Sequence, residues 1–292
     1  MAPFELVTPE SLREAIGLLD PDDPDIRPVG GGTAIMLMMK AGVLRPRRLV
    51  SLRGVEPAYS RITVGAEGEL LIGGLTRLAE LEHSPLVRQG WPLLSRTLRT
   101  LSNVRVRNVA TIGGNLAHAD PHMDMPPVLS ALGAKVTVTG PQGERTLAVE
   151  ELATGYYETV LARNELISNV KVPAQAGRPA AYMKVTTRAA HDWPALGVAV
   201  LLDMQGERIA NASVIAGAAT DRPTRLAEAE AILRGALPDE VTLRRAGEAG
   251  AAELDIVGDP HGSASYKKHL LTVYLGRAVR VALDSARNKE NA

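Results

Sequence analysis

A triple glycine, Gly30-Gly31-Gly32, and a paired glycine, Gly113-Gly114, about eighty residues further on, constrain this chain more than anything else in it. The first sits in Val29-Gly30-Gly31-Gly32-Thr33-Ala34, the second in Ala110-Thr111-Ile112-Gly113-Gly114-Asn115. Lacking a Cβ, glycine lets backbone N–H groups approach a ligand closely, so a glycine cluster before a helix is a candidate phosphate cradle. A single cluster reads equally well as a tight turn. Two clusters, each ending in a small hydroxyl or amide residue, point to a diphosphate gripped from two sides. The first turn fits neither common template. It lacks the third glycine and the downstream acidic residue of the dinucleotide fingerprint, and no Gly-Lys-Ser/Thr follows as in a P-loop.

Hydrophobic periodicity arranges the chain around these turns. Phe4–Leu6 reads as a strand, and Thr8 with Pro9 reads as the start of a helix carrying Leu12, Ile16 and Leu19 on one face. A strand at Arg27–Val29, a helix from Thr33 to about Ala41 and a strand at Leu49–Leu52 complete a small α/β lobe over residues 1–56. Residues 57–175 read as a mixed second lobe. Its expected parts are hairpins at Arg61–Val64/Glu69–Ile72 and Lys135–Thr139/Arg145–Leu147, helices from Thr76, over Trp91–Thr100 and over about Asp124–Leu132, and a strand at Leu166–Val172. Pro173–Pro179 is the best linker. Residues 176–292 then give strands near Ala181–Val185, Gly197–Met204 and Arg208–Ala216, helices near Arg225–Leu233, Asp239–Ala251 and Ser263–Ala286, and a polar, frayed tail over 287–292. The fold class is α+β: a two-lobed unit followed by an α+β C-terminal domain with a three-stranded sheet and helices.

Composition removes several kinds of chemistry. With no cysteine there is no disulfide, thiolate nucleophile or iron–sulfur ligand set on this chain. Lys+Arg and Asp+Glu both number 33, so no bulk charge draws nucleic acid, and Arg96, Arg99, Arg105 and Arg107 read best as a solvated face or a partner contact. The N-terminus lacks a signal-peptide pattern and no apolar run reaches the roughly 18 residues of a membrane span, so a cytoplasmic location is expected. His118, Asp120, His122 and Asp124 have the side chains of metal ligands, but they alternate along a proline-interrupted loop, and no metal is expected. Asp124 also reads as a helix cap. There is no Gly-x-Ser-x-Gly elbow. Trp193 reads either as a core anchor or as a planar side chain against a planar ring.

VGGGTAIMLMMKAG, ATIGGNLAHADPHMDMPP, AYMKVTTRAAHDWPALGVAV and GSASYKKHLLTVYLGRAV, in this order, resemble segments of the medium, FAD-binding subunit of molybdenum hydroxylases, the xanthine dehydrogenase and aerobic carbon monoxide dehydrogenase group. The resemblance implies non-covalent FAD. It would place Pro28, Val29, Gly30, Gly31, Gly32, Thr33, Ala34 and Ile35 on the first flavin turn, contacting diphosphate through backbone N–H groups. Thr111, Ile112, Gly113, Gly114 and Asn115 would form the second turn. Asp124 matches a carboxylate near the adenosine side, Ile167 an apolar residue on the adenine, Lys184 a lysine near the flavin, Trp193 an aromatic beside the isoalloxazine, and Leu101 an apolar contact. Three departures stand out: Gly-Gly-Gly-Thr replaces the commoner Gly-His-Ser or Gly-Asn-Thr, Trp193 replaces Tyr, and the cysteines of the hydroxybenzoyl-CoA reductase branch are missing.

The implied role is electron transfer. A molybdopterin-binding large subunit would oxidise substrate, and a two-iron-cluster small subunit would relay electrons to FAD on this chain. From there they would leave to an external acceptor. No residue of this chain is expected to act as a catalytic acid or base. The alternative is a free-standing FAD-dependent oxidase or dehydrogenase with its own substrate pocket.

Overall fold

The computed structural model describes residues 2–290. β1 (Glu5–Val7), α1 (Leu12–Gly17), β2 (Ile26–Val29), α2 (Thr33–Lys40) and β3 (Arg48–Ser51) form the first lobe. Its three parallel strands lie in the order β1-β3-β2, and parallel neighbours require the crossover helices. Ile26 and Val50 pack on Leu12, Ala15 and Ile16 of α1. That helix starts at Leu12, later than the Thr8-Pro9 pair suggests. Ser11 is the cap: its Oγ accepts the Glu14 N–H at 3.1 Å, and the Glu14 carboxylate accepts the Glu10 N–H at 2.9 Å. The serine satisfies one orphaned helix donor and the glutamate ties down the residue before the cap, which together outweigh proline as a start signal here.

The second lobe runs through β4 (Ile62–Val64), β5 (Leu70–Gly73), α3 (Leu78–His83), α4 (Pro85–Gly90), α5 (Pro92–Thr100), α6 (Val104–Arg107), α7 (Ile112–His118) and α8 (Met125–Ala131). It continues with β6 (Lys135–Gly140), β7 (Gly143–Ala148), β8 (Ala153–Gly155), β9 (Glu158–Thr159) and β10 (Leu166–Val172). A five-stranded antiparallel sheet, β4-β5-β10-β6-β7, carries both hairpins. Leu78, Leu81, Leu94, Leu98, Ile112 and Leu129 from the helices join Leu70, Ile72, Val136 and Val170 of the sheet in one aliphatic core. The basic stripe is not one solvated face. Arg107 is buried, paired with Glu82 at 2.7 Å, and Arg96 donates to the Ala180 carbonyl at 3.2 Å.

Residues 112–118 form α7, where the sequence suggested turn and loop. Thr111 is its N-cap, with Oγ1 accepting the Gly114 N–H at 3.2 Å, and this cap lets a Gly-Gly start be helical. Thr111→Val is expected to cost about 1 kcal/mol, read as a lowered urea midpoint.

β11 (Ala180–Val185), β12 (Leu196–Gln205), β13 (Arg208–Gly217), β14 (Thr224–Arg225), α9 (Ala227–Leu233), α10 (Glu240–Glu253) and α11 (Ala264–Glu290) make the C-terminal part. The two-residue β14 adds a fourth strand to the antiparallel order β11-β12-β13-β14. Alternate residues of a strand face opposite ways. Ala180, Ala199, Leu201 and Ile215 accordingly complete the second lobe's core, while Val198, Val200, Leu202 and Val214 face Leu243, Leu271, Leu275 and Val279 of the helices. Burial on both faces explains the unbroken apolar run of β12. α11 is assigned through Glu290, and positions 291–292 lie outside the described residues.

The segment between β10 and β11 is pinned. Trp91 Nε1 donates to the Pro173 carbonyl at 2.7 Å, and Arg178 donates to the carbonyls of Gln175 and Ala174 at 3.2 and 2.9 Å.

Candidate functional site

The two glycine turns meet backbone to backbone. A Cβ on Gly31 would stand 2.1 Å from the Val109 oxygen and 2.6 Å from Ala110 Cα, and one on Gly30 would stand 2.8 Å from Thr111 Oγ1. Around this contact opens a cleft of about 1240 Å³, walled by both lobes and the C-terminal part. Pro28, Val29, Gly30, Gly31, Gly32, Thr33, Ala34, Ile35, Leu101, Thr111, Gly113, Gly114, Asn115, Asp124, Ile167, Lys184 and Trp193 all border it. Ile112 does not. Its side chain is fully buried in the second lobe's core and its N–H donates to the Thr76 carbonyl at 3.0 Å.

The turns differ in what they offer. In the second, the N–H groups of Ile112 through Asn115 are already used: beside Ile112, Gly113 donates to the Gly74 carbonyl at 2.8 Å, Gly114 to Thr111 Oγ1, and Asn115 to the Thr111 carbonyl at 2.9 Å. In the first, the N–H groups of Gly30 through Ile35 find no acceptor among the described residues. The cause lies at the cap. Gly32, at φ +79°, is the N-cap of α2 and has no side chain to fold back on the first turn of that helix. An uncapped helix N-terminus facing a cleft is an anion site. The second turn contributes a side chain instead: the buried Asn115 Oδ1 has no partner among the described residues, while Nδ2 contacts Met123 Sδ at 3.1 Å.

Asp124 and Lys184 face each other at 2.8 Å, and both are nearly buried. Asp124 does not cap α8, since it has helical φ and ψ and no capping bond. Its oxygens accept instead from Tyr182 and Lys184, each at 2.8 Å, and Lys184 also donates to the Thr100 carbonyl at 2.9 Å. Burial raises the Asp124 carboxyl above the usual carboxylate range even though Lys184 and Tyr182 pull the other way. Lys184 therefore reaches the cleft as half of a neutral pair rather than as a free charge.

Trp193 is half exposed, with its ring 6.0 Å from His122 and 5.9 Å from His261. His122 bonds Asp120 at 3.0 Å and Asp259 at 2.8 Å. Tyr157, whose hydroxyl donates to Asp120 at 3.1 Å, also borders the cleft. Tyr157 and His261 were not foreseen: one lies in a turn at φ +58° and the other in a loop, neither within a recognisable motif.

These features fit a flavin dinucleotide. Six consecutive free donors at a helix start suit a diphosphate, an orphaned amide oxygen suits a ligand hydroxyl or N–H, and Leu101 and Ile167 supply apolar wall.

Comparison with known proteins decides the family. Residues 2–175 match the family described as the FAD binding domain in molybdopterin dehydrogenase. The chain belongs to this family of molybdenum hydroxylase medium subunits. Residues 181–282 match the CO dehydrogenase flavoprotein C-terminal domain. The chain is 31% identical to the carbon monoxide dehydrogenase medium chain of Afipia carboxidovorans, over 98% of both proteins. It is 33% identical to subunit alpha of the 6-hydroxypseudooxynicotine dehydrogenase complex of Paenarthrobacter nicotinovorans, over 97% of this chain and 96% of that one. Among solved structures, carbon monoxide dehydrogenase from Hydrogenophaga pseudoflava superposes with a TM-score of 0.92 at 31% identity, covering 97% of this chain and 99% of that one. This medium subunit is the FAD-carrying part of an oxidoreductase, and in the homologous complexes molybdopterin and iron–sulfur clusters belong to partner subunits. Among its described residues no helix is long and apolar enough to cross a membrane.

Proposed function

We propose that FAD lies along the cleft with its diphosphate on the N–H groups of Gly30–Ile35, and that electrons arriving from a two-iron-cluster small subunit leave through it to an acceptor outside the complex. The observation that carries the placement is the row of N–H donors at the start of α2 with no acceptor among the described residues.

Bound FAD supplies a carrier that exchanges electrons one or two at a time, as a relay between single-electron clusters and a two-electron acceptor requires. The chain's own residues bind and orient. The first turn supplies donors without a charged side chain, so the start of α2 neutralises phosphate through aligned peptide dipoles. Asn115 Oδ1 is held beside the second turn by its helix and accepts from the ligand. Leu101 and Ile167 exclude water along the cleft walls, and Trp193 offers an aromatic face. The Asp124–Lys184 pair contributes a fixed dipole in place of a net charge. No carboxylate or imidazole is required to move a proton.

The test is purification of the intact complex. About one FAD per chain is expected, together with molybdenum and iron on the partners. A colourless, flavin-free complex would overturn the FAD placement. Full-rate turnover of an organic substrate by this chain alone would favour a free-standing flavoprotein.

A further inference from the structure

His122 lies between two carboxylates from different parts of the fold. Nδ1 stands 3.0 Å from Asp120 Oδ1, in the loop between α7 and α8, and Nε2 stands 2.8 Å from Asp259 Oδ2, in the loop before α11. A neutral imidazole donates from one nitrogen only, whereas an ionised carboxylate only accepts. Both contacts are satisfied together only by the doubly protonated ring. The geometry points to His122 as a positioning residue: a cationic clasp that fastens the C-terminal wall to the second glycine motif and sets Trp193 at one end of the cleft. The link to FAD rests on the placement given above.

The surroundings support a charged ring. Asp259 also accepts from the fully buried Lys267, which donates in addition to the Ala218 carbonyl at 2.6 Å, so the C-terminal side of the clasp is anchored to α11. Asp120 accepts from Tyr157, and His261 and Trp193 lie beside the ring at 5.1 and 6.0 Å. Burial disfavours the charged ring, but Asp120 and Asp259 together outweigh it and hold His122 above the ordinary histidine value. Burial also works against both carboxylates. His122 and Tyr157 nevertheless hold Asp120 below its usual range, and Lys267 and His122 bring Asp259 down to about 2. Burial lowers His118 despite Asp120, and burial together with Asp120 raises the Tyr157 phenol, so neither titrates in the window where His122 does. His191 and Asp192 border the same end of the cleft.

The sign follows. A histidine raised in the folded protein stabilises fully below its unfolded value of about 6.5, and that contribution is lost as pH rises through the higher folded value. Above that point one nitrogen presents a lone pair to a carboxylate, and the clasp opens.

The experiment titrates the full chain, without and with FAD, from about pH 6 to about pH 9.5. Emission from Trp193 is isolated by subtracting the Trp193→Phe protein. A step in emission is expected with its midpoint above about 6.5, with FAD affinity falling about tenfold across the same step. His122→Gln removes the step and leaves affinity flat and weak across the range. Asp120→Asn and Asp259→Asn each move the midpoint down by about one unit, which loss of a merely structural contact would not do. On the unaltered chain, ring ¹⁵N shifts show one histidine doubly protonated at about pH 7.5. An emission step that persists in His122→Gln, a midpoint unmoved in both asparagine variants, or no doubly protonated ring overturns the clasp. Because the emission titration needs no FAD, a chain that never binds FAD defeats the placement while leaving the clasp to stand or fall by its own step.

Discussion

Gly31→Ala is expected to strip the protein of FAD. The added methyl would stand 2.1 Å from the Val109 oxygen, a backbone atom that cannot swing aside as a side chain does. The first turn must lift off the second, and the row of donors moves with it. Overpacking of this kind costs about 1–3 kcal/mol. If that cost falls on the bound state, affinity drops by about tenfold to a hundredfold. The ratio of flavin to protein after gel filtration, and a calorimetric titration of the apoprotein, read the effect. Gly114→Val, the substitution that the motif alone suggests, tests something different. Its Cβ meets only Thr111 Oγ1, at 2.9 Å, and its N–H is already used in capping α7, so the damage is to the helix start. Gly31→Ala protein that retains a full complement of FAD would remove the first turn as the diphosphate cradle.

Lys184→Met carries the other large effect, on stability. The substitution leaves the Asp124 carboxylate buried with Tyr182 as its remaining side-chain partner. Breaking a buried pair from one side typically costs about 3–5 kcal/mol, because the remaining charge is stranded. Chemical denaturation of the apoprotein should show a loss of that order. Asp124→Asn in the same chain should restore much of it, and the double-mutant cycle gives the coupling directly. A loss below about 1 kcal/mol would mean that water reaches Asp124 and that the pair behaves as a surface contact.

Much of the fold was legible in local pattern, and what was missed was decided at a distance. The strand over 166–172 and the two hairpins of the second lobe follow from alternation and turn residues, which act within a few positions. The start of α1 was misplaced because Ser11 and Glu14 compete with Pro9 for the same role, and hydrogen bonding decides it. α7 was hidden because paired glycines disfavour a helix unless a cap offsets them, and Thr111 supplies that cap.

At the cleft, motif identity brought most of the expected residues to one place but could not apportion their donors. Ile112 shares the second turn and still points into the core. Asp124 has the sequence position of a cap and the structural role of a counter-ion to Lys184, 60 residues away. His122 meets Asp259 across 137 residues, a contact that no local spacing announces.

The C-terminal sheet has a consequence for the timing of biosynthesis. Ala199, Leu201 and Ile215 close the core of a lobe whose last strand ends at Val172. While the chain is being made, that core stays open on one side for about forty residues after its own strands are complete, a delay of a few seconds at ordinary rates of translation. The cleft lacks the Lys184 and Trp193 wall over part of the same interval. With FAD placed as proposed, cofactor loading is expected to follow synthesis of the C-terminal sheet, and a nascent chain stalled before β13 presents an apolar face for chaperones to recognise.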